Sequence, residues 1–328
     1  MSTQVFDTPG SYTWVCPANV TSVNVVCIGA GGSGGAAYYA GGGGGGGGLG
    51  WKNNIAVTPG QSYTVVVGAG GIAVTAASGG QGTDGGDSYF ISTSIVAGLG
   101  GKAGVGTSDN SNVVRNGGLG GSFVGDGGGI GGTGGASSGD TAGGGGGAAG
   151  YSGNGGNGGW TAGAGGGAAG GANGGSNSSN GAAQSGGGVG VSGQGDSGTV
   201  AGSGGSGGTA GSANLTSGGS SNTGGLYGGG GAGQSNDSKT TPGCNGGGGA
   251  VRIVWATNAT PFPFYSLPPE PKLGILVSTN DSVQLTTKSR LPIVLASEPK
   301  VELSYRGSTF IVELFTQTTG AFQRWTDS

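Results

Sequence analysis

The chain has 328 residues, of which 92 are glycine; charged residues make up 8% and histidine is absent. Average chains carry about 7% glycine and about a quarter charged residues, so an ordinary enzyme core is not expected. Without histidine no Ser-His-Asp triad, Cys-His dyad or His-bearing zinc site can form, and a net charge of −3 lacks the basic footprint of a nucleic-acid binder.

No run approaches the roughly 18 apolar residues of a membrane span, and Met1–Phe6 shows no basic segment leading into an apolar one. The expectation is a non-enzymatic chain with no cofactor, no metal and no membrane insertion. Three cysteines, Cys16, Cys27 and Cys244, form no CxxC pair and read as small buried residues. A Cys16–Cys27 bridge is the alternative if the two positions face each other.

Residues 1–100 read as β. The stretches 11–16 and 22–28 are rich in β-branched and aromatic residues between Pro and Gly. Ile55–Thr58, the Pro59-Gly60 turn and Tyr63–Val67 read as a hairpin. Shorter strands fit 87–91 and 94–97. The next run of this kind is Ala250–Trp255, so the strand at 249–257 is expected to return to the same small sheet or sandwich. The block 101–248 is then an insertion whose two ends meet.

That block admits two conformations. It can be a flexible Gly/Ser coil, or a bundle of polyglycine II helices, extended threads with three residues per turn and no internal hydrogen bonds. Such threads pack only where the α-carbons are bare, with side chains outward at period three. Asn116, Leu119 and Ser122 have that spacing, as do Ile130, Thr133 and Ala136, then Tyr151, Asn154, Asn157 and Trp160, and Ser203, Ser206 and Thr209. Ordering each glycine costs about 0.5–1 kcal/mol more than alanine, which only a cooperative lattice of hydrogen bonds at about 1 kcal/mol each offsets. The bundle is the reading adopted.

A Pro-rich linker spans 258–272 and favours extended chain. Residues 273–328 carry five or six short strand-like runs and only three of the 92 glycines lie beyond residue 250. So small a piece is expected to oligomerise, a trimer by preference, or to dock on a partner.

Two motifs fail on inspection. Gly29-Ala-Gly31-Gly-Ser-Gly34 fits the dinucleotide fingerprint, but Ala36-Ala-Tyr-Tyr-Ala and eight glycines follow it where a helix and a later acid are required. Asp84 and Asp87 could offer oxygens to a cation, but capping a turn is the simpler reading.

The segments Phe6–Val23, Val57–Gly71, Gly86–Phe90 and Gly249–Trp255 resemble, in that order, the motifs of the glycine-rich domain of tailed-phage virion proteins. The resemblance covers residues 1–264. It implies an all-β and polyglycine II fold in a phage fibre or tail protein, with other virion proteins and a host cell-surface glycan or protein as partners. It further implies localisation to the virion after assembly in the host cytoplasm. Polyglycine threads cannot bury Tyr151, Trp160 and Tyr227 among themselves, so these cover a flank of the bundle or a subunit contact, or else sit near its tip, where exposed aromatics beside Asn and Ser suit glycan or protein recognition. Distal loops of the resembling proteins contact bacterial receptors, and on that second reading Tyr151, Trp160, Asn177, Asn180, Tyr227, Asn236 and Lys239 are the candidate receptor-binding residues. The alternatives are a purely structural fibre or decoration protein, and an ice-binding or matrix-type glycine-rich protein with a flat face of small residues.

Overall fold

The computed structural model describes residues 2–108, 113–137, 140–159, 171–172, 174–175, 183–212, 223–234, 242–255 and 261–263, and the backbone of strands between 275 and 324. The chain divides into two compact units, Met1–Ser266 and Leu267–Ser328.

The first unit is built on β1 (Ser2–Phe6), β2 (Gly10–Val15), β3 (Ser22–Ile28), β4 (Leu49–Ala56), β5 (Ser62–Val67), β6 (Ser88–Phe90), β7 (Val96–Gly98), β8 (Phe123–Val124), β9 (Gly127–Gly129) and β10 (Ala250–Trp255). Two five-stranded antiparallel sheets result, in the orders β1-β10-β3-β4-β9 and β2-β5-β6-β7-β8. Strand β10 does return as the sequence suggests, lying between β1 and β3 with Ile253 opposite Val25.

The expected hairpin at 55–67 does not form. β4 pairs with β3 and β9, whereas β5 pairs with β2 and β6. The Pro59-Gly60 turn therefore carries the chain from one sheet to the other. Both arms have an inward apolar set, Ile55 and Val57 on one side and Val65 and Val67 on the other, so burial between sheets satisfies the same residues that a hairpin would.

The inner faces of the two sheets enclose Trp14, Val23, Val25, Cys27, Val65, Phe90, Val96 and Ile253. Residues Val26, Ile28, Leu49 and Val254 face the other way and are covered by Ala148, Ala149, Tyr151, Val189 and Phe262. Burial on both faces explains why β3 runs on through Val25–Ile28 without polar alternation. All three cysteines are buried and free; Cys16, just past the end of β2, and Cys27, in β3, share the core cluster, and no bridge joins them. Burial pushes the Cys27 thiol far up, which keeps it protonated and inert.

Beyond the sheets, glycine-rich segments run side by side and are joined by main-chain hydrogen bonds. Residues 41–48 show the rule. The N–H groups of Gly41, Gly44 and Gly47 donate to the carbonyls of Gln234, Gly231 and Gly228. Those of Gly42, Gly45 and Gly48 donate to Val105, Lys102 and Leu99, and those of Gly43 and Gly46 to Gly135 and Gly132. The carbonyls take three further segments: Gly41, Gly44 and Gly47 accept from Gly143, Gly146 and Ala149. Gly42, Gly45 and Gly48 accept from Gly35, Gly32 and Gly29, while Gly43 and Gly46 accept from Gly118 and Gly121.

All these bonds lie between 2.7 and 3.1 Å. Six segments thus surround 41–48, and they are bonded to one another around the ring, for example through Gly231 to Gly32, Lys102 to Leu119 and Gly135 to Gly144. Three successive residues address three directions. A Cβ on Gly43 would strike the Gly144 carbonyl oxygen, one on Gly44 that of Gly32, and one on Gly45 that of Leu119. No side chain fits at any of the three.

The ring is not confined to 101–248, since its centre and one member (29–35) come from the first hundred residues. Side chains sit outward at period three where the sequence suggests: Asn116, Leu119 and Ser122 are exposed, Leu119 by 66%. Ile130 is 45% exposed. Ser206 breaks the pattern, being buried with its hydroxyl accepting the Gly195 N–H at 3.1 Å.

At the edges, side-chain oxygens take the place of a missing neighbour. Gln81, Asp84 and Asp87 accept the N–H groups of Gly106, Ala103 and Gly100 at 3.2, 2.8 and 2.8 Å. Asn154 and Asn157 do the same for Ile130 and Thr133 at 3.0 and 2.9 Å. Asp84 and Asp87 are caps, but on an adjacent segment rather than on their own turn.

In the second unit the backbone forms antiparallel pairs: β11 (Ile275–Val277) with β12 (Val283–Leu285), β14 (Val301–Tyr305) between β13 (Val294–Leu295) and β15 (Ser308–Val312), and β16 (Phe315–Thr318) with β17 (Ala321–Arg324).

Candidate functional site

The glycine-rich segments have two ends. β3 and β4 continue directly into residues 29–35 and 42–48, which bond to each other through Gly29 to Gly48, Gly32 to Gly45 and Gly35 to Gly42. The turn at 36–41 therefore closes the end away from the sheets.

This end is built around Tyr38 and Tyr39. Their rings meet edge to face with centroids 5.1 Å apart and planes at 85°, and both residues are half-buried. Beside them Arg115, only 2% exposed, donates through one terminal nitrogen to the carbonyls of Ala40 and Val113 at 3.2 and 3.1 Å. Its other two nitrogens reach the Thr107 hydroxyl at 3.2 and 3.1 Å. The Ser137 N–H donates to the Arg115 carbonyl at 2.8 Å, and the Arg115 N–H donates to the Ser137 hydroxyl at 3.1 Å. The guanidinium ties three chain segments together under the tyrosine turn. Gln234 completes the floor: its main chain bonds to Gly35 and Gly41, and neither atom of its buried amide has a partner among the described residues.

The sequence candidates divide between the two ends. Tyr151 lies at the sheet end and is fully buried. Its hydroxyl donates to the Gly190 carbonyl and accepts the Gly193 N–H, each at 3.1 Å. Its ring stacks on Phe262 at 5.9 Å, and Trp51 donates to its carbonyl at 2.7 Å. Burial pushes the phenol far above its usual range. Tyr151 therefore leaves the set of surface candidates: it seals the flank of the first sheet, because threads of bare α-carbons offer no pocket for so large a ring.

Tyr227 is also near the sheet end, half-buried, with its hydroxyl donating to Asp7 at 3.1 Å; burial and the neighbouring carboxylate raise its pKa. Trp160, Asn177, Asn180, Asn236 and Lys239 lie outside the described residues. The described residues that flank two of those segments, Gly175 and Ala183, and Gln234 and Pro242, belong to the tyrosine end: Gly175 bonds to Gly159, Ala183 to Gly233, and Pro242 is bridged to Thr75.

A family model described as a glycine-rich domain matches residues 7–256. The chain belongs to that family. The match begins just after β1 and ends just beyond β10, so it covers every strand of the two sheets except β1, together with every described thread. A comparison with curated proteins finds no match.

Sequence reasoning missed Tyr38, Tyr39 and Arg115. The available signal was the five-residue interruption Ala36-Ala-Tyr-Tyr-Ala40 between two glycine runs, which marks a reversal of direction between paired threads.

Proposed function

We propose that the glycine-rich domain is a polyglycine II lattice that holds binding loops at the end of a non-enzymatic virion protein of a tailed phage. In this reading the chain is a fibre or tail component, assembled in the host cytoplasm, that recognises a host cell-surface glycan or protein. The second unit oligomerises it, as a trimer by preference, or joins it to other virion proteins.

The observation that carries the reading is the sixfold hydrogen bonding of residues 41–48 at three-residue steps. Each thread is weak alone, but a ring of mutually bonded threads moves only as a body. Both ends of the chain that forms it are anchored at the sheets, so the opposite end is presented. There Tyr38 and Tyr39 offer aromatic faces with polar tips, the combination suited to partly apolar, partly wet surfaces such as sugars. The ice-binding alternative needs rows of small residues, whereas the outward rows here hold Lys102, Leu119, Ile130 and Asn154.

The test is binding of the fluorescently labelled full chain to candidate host bacteria. Tyr38→Ser with Tyr39→Ser, or replacement of 177–180 or 236–239 by Gly-Ser, is expected to abolish binding, while Ile72→Ser on the flank leaves it intact. Equal binding by all variants would remove these loops as the contact, and no binding by the unaltered chain would favour the purely structural virion role.

A further inference from the structure

Asn-Gly pairs are the sequences at which asparagine is most readily lost, because a glycine nitrogen is unhindered. Four such pairs lie among the described residues: Asn116-Gly117, Asn154-Gly155, Asn157-Gly158 and Asn245-Gly246. In three of them both reacting groups are engaged. The Asn154, Asn157 and Asn245 amide oxygens accept the N–H groups of Ile130, Thr133 and Ala73. The main-chain N–H groups of Gly155, Gly158 and Gly246 donate to Ile130, Thr133 and Gly71 at 2.9, 2.8 and 2.8 Å.

Asn116-Gly117 differs on both counts. Asn116 is exposed, and among the described residues its side chain makes no hydrogen bond and the Gly117 N–H meets no acceptor. The Asn116 carbonyl is held by the Val105 N–H at 2.9 Å, so the residue sits on an ordered thread while its amide and the following nitrogen stay free.

We propose that Asn116 is a site of spontaneous deamidation in the folded protein, and that the thread lattice shields the other three pairs. The Gly117 nitrogen attacks Cγ of Asn116; an N–Cγ bond forms, the Cγ–Nδ2 bond breaks, and ammonia leaves with the Gly117 amide proton. The resulting cyclic imide takes up water and opens to aspartate or isoaspartate. Both products add a negative charge. The isoaspartyl form also adds one atom to the main chain between 116 and 117. That atom moves Leu119 and Ser122 out of step with Lys102 and Leu99, whose N–H groups they accept.

The experiment is incubation of the full chain in mildly alkaline buffer, followed by peptide mapping with fragmentation to locate each deamidated residue and an isoaspartyl assay. Breaking a protecting bond before reaction costs free energy, and each 1.4 kcal/mol slows the reaction about tenfold. Asn116 is therefore expected to react at least about tenfold faster than Asn154, Asn157 and Asn245 in the native chain. In denaturant all four rates should converge, and Asn116→Gln should remove the fast phase without altering the other three. Native rates that are equal, or slower at Asn116, would overturn the proposal.

Discussion

The Asp84 carboxylate accepts the N–H of Ala103 at 2.8 Å, the place that a carbonyl of a neighbouring thread takes inside the lattice. Its other oxygen holds the Lys102 ammonium at 2.9 Å. With Gln81 and Asp87 it forms a row of side chains that ends the lattice without leaving main-chain donors unpaired. Asp84→Ala should cost about 1–3 kcal/mol, the penalty of an orphaned, partly buried donor, and should speed amide exchange at Ala103. Asp84→Asn keeps an acceptor and should recover most of that loss. Chemical denaturation with exchange at Ala103 separates the two.

Acid should loosen the same edge. Partial burial raises the Asp84 carboxyl, but the Ala103 N–H and Lys102 outweigh it and hold its pKa below the usual value. Asp126, bonded to Lys52 and to the Asn53 N–H, is lowered as well. Groups with depressed folded-state pKa values contribute stability that is present above the unfolded value, about 3.9 for aspartate, and is lost as pH falls below it. The melting temperature should therefore decline below about pH 4, modestly because both carboxylates are partly exposed. A melting temperature that rises on acidification would contradict this.

Glycine at the centre is a packing requirement. Gly43→Ala would drive a methyl group into the Gly144 carbonyl, with backbone on every side, and should cost more than the roughly 1–3 kcal/mol of ordinary overpacking. Gly60→Ala is the contrast. Its φ of 79° disfavours a side chain, but a Cβ there meets nothing within 4 Å, so the cost should stay near the 1–2 kcal/mol of a left-handed residue. Equal losses in the two variants would remove the close-packing argument.

Tyr151→Phe deletes a hydroxyl that bridges Gly190 and Gly193. A loss of about 1–3 kcal/mol is expected, since the Gly193 N–H is then buried without an acceptor. On the proposed binding role, stability by denaturation and attachment to cells should part company in this variant, with the first lowered and the second retained after folding.

The sheets were largely legible. The runs at β3, β5 and β10 are dense in Val and Ile, and residues buried on both faces announce themselves by lacking alternation. The pairing of β4 was not legible, because its apolar face serves a hairpin and a sandwich equally. That glycine-rich segments pack side by side was suggested by side chains spaced by three, but not which segments do so: 41–48, the centre, has no side chains to reveal a period, and 29–35, one of its neighbours, has few. Tyr151 and Ser206 have the right spacing and yet point inward, because spacing tells which residues share a face and not whether another element covers it.

Amide hydrogen exchange across 41–48 addresses the main claim most directly. If the lattice is a rigid body, these glycines, each with its N–H bonded to a neighbouring segment, should exchange as slowly as Val25 and Ile253 in the sheets. Exchange at 41–48 as fast as that of an unstructured glycine peptide, with the sheet strands still protected, would contradict it.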